Sequence, residues 1–234
     1  MTHSQTAVYL SCIDVAQTCD FAIVGPFGDL DEVKARVGVP AVDFPQIRER
    51  ARERLTRLTL VRRLDFTAPG TRALSYYSDD ELLPGEAFWA LVLAPPDSKA
   101  LCLWLNSTLA LVEFLTLQRE TRGSFIDITS EKVRELHIPN FTKADVTRLV
   151  DAFELVRKEE LPSLFDQFQE PCAARELIDQ AVLQFLGYSD NEVASMLPKL
   201  YEAMRRELTS FSELMRATQT EETPAAIQLP FGLT

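Results

Sequence analysis

Arginine is the clustered residue type of this chain, and its planar guanidinium group is well suited to binding phosphate. Positions 48 to 63 hold seven arginines and two glutamates, a local excess of five positive charges in a chain whose net charge is −11. Such an excess can form a phosphate-facing surface, since phosphate contact favours Lys and Arg. A solvated helix face is the alternative interpretation of the same cluster.

The remaining charge is distributed differently. From Thr142 to the end, nine basic residues face sixteen acidic ones. This balance argues against a protein that coats nucleic acid with its whole surface. We expect any phosphate contact to be confined to the first 141 residues.

Signatures of catalysis are absent from the sequence. There is no G-x-G-x-x-G motif and no phosphate-binding loop, because "VGPFGDL" (24–30) has only Gly25 and Gly28 with a proline between them. No nucleophile elbow or metalloprotease helix is present. We therefore expect a chain that is not an enzyme and that needs no cofactor.

Metal and membrane sites are also not indicated. The four cysteines form no C-x-x-C pair and only two histidines are present, so we expect free thiols and no zinc site. The apolar stretch 100–117 is interrupted by Asn106, Ser107, Thr108, Glu113 and Thr116, and a membrane-spanning helix needs about 20 predominantly apolar residues. With no signal-peptide pattern at the N-terminus, we expect a soluble, cytoplasmic protein.

Secondary structure must position the clustered arginines, and the first 141 residues predict a mixed α/β unit. β-Branched and aromatic residues bounded by Gly and Pro favour strands, and apolar residues with helical spacing favour helices. Predicted strands cover 7–13, 20–27, 58–66, 71–79, 87–95 and the start of 124–141. Predicted helices cover 29–38, 44–58, 97–119 and a short segment after a cap at Thr129 or Ser130, with turns at 79–86 and at "APPD" (94–97).

The chain from 142 to 216 predicts helices only. Val146, Leu149, Val150 and Phe153 have the spacing of one helix face. Pro162 should end or restart that helix, and a second helix runs from Pro171 to Gly187. A third helix, at 190–215, has a stripe of apolar residues along one face. This stripe suits an intramolecular bundle or a long hairpin that binds a partner. The fold class is thus α+β: an α/β unit (1–141), a helical hairpin or bundle (142–216) and a flexible tail (217–234).

Several blocks in fixed order resemble a known family. They are "LTLVRRLDF" (58–66), "FWAL" (88–91), "LNS" (105–107), "GSFIDI" (123–128), "LHIP" (136–139) and "ARELIDQAVLQFLGY" (174–188). Together they resemble the target-recognition (specificity) region of bacterial restriction-modification and phage-defence adenine DNA methyltransferases. The methyltransferase domain of that family and its cofactor-binding glycines are missing from this sequence. The Asn-Pro-Pro-aromatic motif is also missing, because Ala94 and Asp97 flank the only Pro-Pro pair.

The resemblance implies a non-catalytic module that positions double-stranded DNA for a partner methyltransferase. The helix 97–119 would be a buried framework, with Asn106 and Ser107 satisfying nearby backbone groups and Trp104, Leu105, Leu109 and Val112 packing against the strands. Arginine suits guanine and glutamine suits adenine. The candidate DNA-binding residues are Arg57, Arg62, Arg63, Arg72, Gln118, Arg119, Arg122, Ser124 and Lys132.

The helices from 142 onward would hold the methyltransferase subunit or domain. The competing hypothesis is an acidic protein-interaction or scaffold subunit of a defence complex that makes no DNA contact. Retention of duplex DNA by the chain distinguishes the two.

Overall fold

The computed structural model describes residues 54–66, 68–85, 87–116 and 126–221, with side chains up to residue 213. Its architecture is α+β, as the sequence predicts. The predicted elements at 7–13, 20–27 and 29–38 lie outside these residues. Most of the predicted helix 44–58 also lies outside the described residues. Its last three residues, 56–58, belong to a strand and not to a helix.

A three-stranded antiparallel sheet and a two-stranded ribbon contain the strands of the described residues. The sheet has the order β3-β1-β4, with β1 at Thr56–Val61, β3 at Ser75–Leu82 and β4 at Phe88–Leu91. The ribbon pairs β2 (Arg63–Leu64) with β5 (Ile126–Asp127) in antiparallel fashion. Strands lie within the predicted ranges 58–66, 71–79, 87–95 and the start of 124–141. The strand predicted at 58–66 is interrupted at Arg62, the one predicted at 87–95 ends at Leu91, and β3 extends through the first half of the predicted turn at 79–86.

The predicted helix 97–119 is two helices. The first, α1 (Pro95–Leu105), and the second, α2 (Thr108–Thr116), are bent by 67° at Asn106 and Ser107. "APPD" is not a turn, because Pro95 and Pro96 occupy the first turn of α1, where a missing N–H costs nothing. Leu105 is buried and Leu109 is half-buried, but Val112 is 38% exposed, so its predicted burial is wrong.

The helical elements that follow agree closely with the sequence. They are α3 (Ser130–Glu135), α4 (Lys143–Val156), the short α5 (Asp166–Gln169), α6 (Ala173–Phe185) and α7 (Asp190–Glu221). Thr129 is the cap of α3, and a reciprocal capping box of Thr142 and Asp145 starts α4. Gly187 has a φ of 95°, which glycine tolerates well, and it ends α6 as predicted. Residues 217–221 of the predicted tail continue α7.

One hydrophobic core crosses the predicted boundary between residues 141 and 142. The rings of Tyr77 on β3 and Phe153 on α4 meet edge to face at 5.4 Å. Beside them, Arg157 of α4 donates to Asp79 of β3 at 2.9 Å. Trp104 of α1 packs edge to face against Phe185 of α6 and belongs to the same core as the strand residues. The helices therefore form part of the same packed body as the sheet.

The stripe of α7 also packs within the chain. Met204 and Leu208 are buried, and Phe211 lies edge to face on Phe66 at 6.1 Å. Tyr201 contacts Phe168 of α5 in the same way at 5.8 Å. The stripe is thus used in an intramolecular bundle, the first of the two arrangements that the sequence left open.

Candidate nucleic-acid interface

The β2–β5 ribbon brings together candidate residues that are far apart in the sequence. Arg63 lies opposite Asp127 across the ribbon. The amide of Ile128 donates to the carbonyl of Arg62 at 2.7 Å and extends the pairing by one residue. Arg62 and Arg63 are consequently held beside the start of α3, about 65 residues further along the chain.

Arg62 lies over an aromatic ring. Its guanidinium carbon lies 5.3 Å from the ring centre of Trp89, a cation–π arrangement. The ring is fixed because its Nε1 donates to the carbonyl of Ile128 at 2.7 Å. The Nε of Arg62 is 3.8 Å from Asp127 Oδ1 and has no hydrogen-bond acceptor within the described residues. The side chain is 39% exposed, so part of the guanidinium faces solvent.

Lys132 completes the group from the first turn of α3. Its Nζ donates to the main-chain oxygen of Asp127 at 3.1 Å. Arg62 thus approaches the carboxylate of Asp127, Lys132 binds its main-chain oxygen, and Arg63 is its strand partner. These four residues are named the Asp127 cluster. With three cations and one anion it keeps an excess of positive charge, and an anionic ligand could replace Asp127 as the partner of Arg62.

A second acid nearby, Glu131, is directed to the start of α3. Hydrogen bonds from its own backbone amide and from Thr129 hold the pKa of its carboxyl below the usual value. This carboxylate therefore stabilises the positive, N-terminal end of α3.

Arg57 and Arg72 lie away from the Asp127 cluster. Arg57 is at the other end of β1, five residues and about 16 Å from Arg62. There it interacts with the hydroxyl of Tyr77, although burial keeps the pKa of that tyrosine above its ordinary value. Arg72 donates to the carbonyl of Leu161 at 3.1 Å and lies 3.7 Å from Glu160, so it fixes the chain next to α5.

Four candidates fall outside the described residues: Gln118, Arg119, Arg122 and Ser124. Their segment, 117–125, begins where α2 ends and leads directly into β5 of the ribbon. Two members of the site were missed by sequence reasoning, Trp89 and Asp127. The aromatic "FWAL" strand was a signal that could have pointed to Trp89. The contact of Trp89 with Arg62, however, depends on the register of the strands, which the sequence does not show.

A buried polar network connects the two motifs "LNS" and "RELID". The side chain of Asn106 accepts from the amides of Leu74 and Ser75 at 2.8 and 3.2 Å, and donates to the carbonyls of Ser75 and Cys102 at 2.8 and 3.0 Å. Ser107 accepts from the amide of Ala110 at 3.2 Å. The prediction that these two residues satisfy backbone groups is confirmed.

The second motif supplies the charges of this network. Arg175 donates to the main-chain oxygen of Asn106 and to Gln167 Oε1, and its guanidinium lies 5.2 Å from the ring centre of Phe168. Asp179 accepts from the amide and the hydroxyl of Thr108 at 2.6 and 2.5 Å. Arg175 and Asp179 are 1% and 2% exposed, so solvent has no access to either and the network supports the fold.

Burial determines the electrostatics of this network. It raises the pKa of the Asp179 carboxyl, while the positive charge of Arg175 and the two bonds from Thr108 act in the opposite direction. Burial, together with the nearby Asp179, also raises the pKa of the Tyr201 hydroxyl.

Within the described part of the chain, no three His, Cys, Asp or Glu residues are grouped for a metal ion. Cys102 and Cys172 are both buried, and neither forms a disulfide bond within the described residues. No single helix among the described ranges is long and apolar enough to cross a membrane; α1 and α2 meet the length and composition only as a pair, with their 67° bend.

Comparisons of this chain with protein-family models, with curated proteins and with solved structures found no match.

Proposed function

We propose that this chain is a non-catalytic DNA-recognition module of a restriction-modification or phage-defence complex, and that it positions duplex DNA for a partner methyltransferase. The observation that carries the proposal is the Asp127 cluster, in which Arg62, Arg63 and Lys132 converge from two distant segments. Basic residues on one exposed ribbon suit a phosphate backbone, because each Lys or Arg can neutralise one phosphate.

The stacking of Arg62 on Trp89 supports recognition in addition to charge attraction. The planar guanidinium carries its donors in one plane, and contact with the Trp89 ring restricts the orientation of that plane, which suits the paired acceptors of a guanine edge or a phosphate. Arg63 is exposed and suits a backbone contact that fixes register. The module positions the DNA. Contacts with phosphates fix its register on the duplex, and a few side chains that contact base edges read the sequence.

The partner is assigned to the helical part of the chain. Leu155 is 54%, Leu186 44% and Tyr188 40% exposed, and a contiguous patch of such side chains would suit a protein contact. This observation also favours the second candidate function, an acidic scaffold subunit that binds protein and makes no DNA contact.

A DNA-binding titration of the full chain separates the two functions. Labelled duplex is titrated at about 50 and 200 mM salt, with and without the protein that co-purifies. Three phosphate contacts would weaken binding roughly 40-fold between these salt concentrations. Binding that is absent or insensitive to salt in both preparations would exclude DNA recognition.

A matched pair of variants assigns the binding to the cluster. R62A/R63A should weaken binding and lower the salt slope by about 2. R205A/R206A removes two adjacent arginines from α7, where they pair with Glu202, and should leave binding unchanged. Equal losses in both variants would mean that only net charge matters and that the cluster is not the site.

A further inference from the structure

A basic and an acidic side chain lie next to each other beside the β2–β5 ribbon. Arg62 Nε is 3.8 Å from Asp127 Oδ1, which is close enough for attraction but longer than a hydrogen bond. The two side chains are 39% and 49% exposed, so both reach solvent. This surface therefore presents a donor group and an acceptor group together, and the contact with Trp89 restricts the orientation of the donor group.

This pair of side chains suits a base edge better than a phosphate. A phosphate bound to Arg62 would lie close to the carboxylate of Asp127, and two anions at such a distance repel each other. A G·C pair in the major groove offers the complementary arrangement, because guanine N7 and O6 accept hydrogen bonds and the adjacent cytosine N4 donates one. Guanine O6 and cytosine N4 are hydrogen-bonded to each other and so lie about 3 Å apart, which is comparable with the separation of Arg62 and Asp127.

The other two cations of the Asp127 cluster remain for the phosphates. Arg63 is exposed and lies opposite Asp127 across the ribbon, and Lys132 binds the main-chain oxygen of Asp127 through its Nζ. Neither cation forms an ion pair with an acid of the described residues, so their charges are not neutralised there. A two-stranded ribbon is also an element that the major groove admits. The cluster thus contains one donor–acceptor pair for a base edge and two cations for the backbone.

We infer that Arg62 and Asp127 together recognise one G·C base pair from the major groove, with Arg62 donating to guanine O6 and N7 and Asp127 accepting from cytosine N4. This inference rests on the proposed function and names the base pair that the module reads at the Asp127 cluster. An A·T pair in the same orientation does not fit, because adenine N6 would face the guanidinium donors and thymine O4 would face the carboxylate.

Base analogues test the contact with the full chain. The duplex that the chain retains most tightly is selected from a pool with a randomised centre, and each of its G·C pairs is then altered in turn. The analogue 7-deazaguanine removes the N7 acceptor, whereas inosine keeps N7 and O6 and lacks only the amino group of the minor groove. We expect one G·C pair at which 7-deazaguanine weakens binding about tenfold and inosine leaves it unchanged. Absence of such a pair would overturn the inference.

Three variants assign that base pair to the two side chains. In R62A, 7-deazaguanine should cause no further loss at this pair. D127N should lower the preference for G·C over A·T there even as its affinity for DNA rises, because an amide both donates and accepts. R63A is the matched control, since loss of an exposed phosphate contact should weaken all duplexes equally and leave the preference intact.

The possible failures of the two proposals are distinct. A preference for G·C that persists in R62A, or that is lost to the same extent in R63A, would overturn this inference and leave the proposed function in place. A wild-type chain that binds no duplex DNA, alone or with the protein that co-purifies, would overturn both. Circular dichroism of each variant establishes that a loss of affinity does not come from unfolding.

Discussion

The guanidinium of Arg62 rests on the ring of Trp89, 5.3 Å from the ring centre. Arg62 lies between β1 and β2 and Trp89 lies on β4, and Trp89 is itself fixed by the hydrogen bond from its Nε1 to the carbonyl of Ile128. Trp89 thus connects the sheet to the ribbon while it supports the cation. The first prediction concerns this double role.

We expect W89F to lower the free energy of unfolding by about 1–2 kcal/mol. Phenylalanine retains an aromatic face for Arg62 but has no N–H, and the carbonyl of buried Ile128 loses its donor. Urea unfolding followed by circular dichroism measures the change. A variant as stable as the wild type would show that this hydrogen bond makes no net contribution.

We expect D127N to bind DNA more tightly than the wild-type chain. Asp127 competes with phosphate for Arg62, and their side chains are 49% and 39% exposed, so the pair contributes at most about 1 kcal/mol, or about fivefold in affinity. Fluorescence anisotropy with labelled duplex measures the gain. E135Q removes the same charge from an exposed site on α3, and a gain of equal size in that variant would refute the specific competition.

We expect N106A to be among the most destabilising single changes, with a loss of about 3 kcal/mol or more. The asparagine side chain satisfies two buried amides and two carbonyls, none of which alanine can bond. S107A removes one bond at the neighbouring position and should cost only about 1 kcal/mol. Denaturant midpoints of the two variants test the order, and the reverse order would contradict the assigned roles.

We expect D79N to remove a stabilising contribution that depends on pH. The hydrogen bond from Arg157 holds the pKa of the Asp79 carboxyl below its ordinary value, against the smaller opposing effect of burial. A carboxyl with a lowered pKa stabilises the fold above its unfolded pKa of about 3.9, and this contribution disappears as the pH falls through the folded pKa. The expected effect is small, because the Asp79 side chain is 60% exposed.

Unfolding free energies of D79N and the wild type, measured across the acidic range, should differ near neutral pH and converge as the pH falls. D80N is the matched control on the neighbouring exposed residue of β3. A D79N curve parallel to that of the wild type at every pH would show that the Arg157 bond has no linkage to protonation.

Local patterns were sufficient to predict most of the described elements. The period of apolar residues located the strands from 58 to 91 and the helices from 142 onward. Capping residues located the ends of helices: Gly187 marks the end of α6 and Thr129 marks the start of α3. Buried amides must be bonded, and this requirement alone predicted the role of Asn106.

What the sequence could not predict depends on contacts between distant residues. At the 67° bend, Asn106 bonds to Leu74 and Ser75, and Thr108 bonds to Asp179, so the apolar pattern of 97–119 alone predicts one continuous helix. The contact of Trp104 with Phe185 likewise joins residues that are far apart in the sequence. Within the candidate site, the predicted cations Arg62, Arg63 and Lys132 converge only through the register of β2 with β5, while Arg57 and Arg72 have the same chemistry and lie elsewhere.

The edge-to-face contact of Tyr77 with Phe153 has an evolutionary consequence. Together with the hydrogen bond from the amide of Leu164 to the carbonyl of Thr71, it joins the sheet region to the helical region in one packed surface. Recombination that exchanged only the strands for those of another protein would bring mismatched shapes into contact along α4. An exchange that preserves the fold is therefore expected to transfer strands and helices as one block.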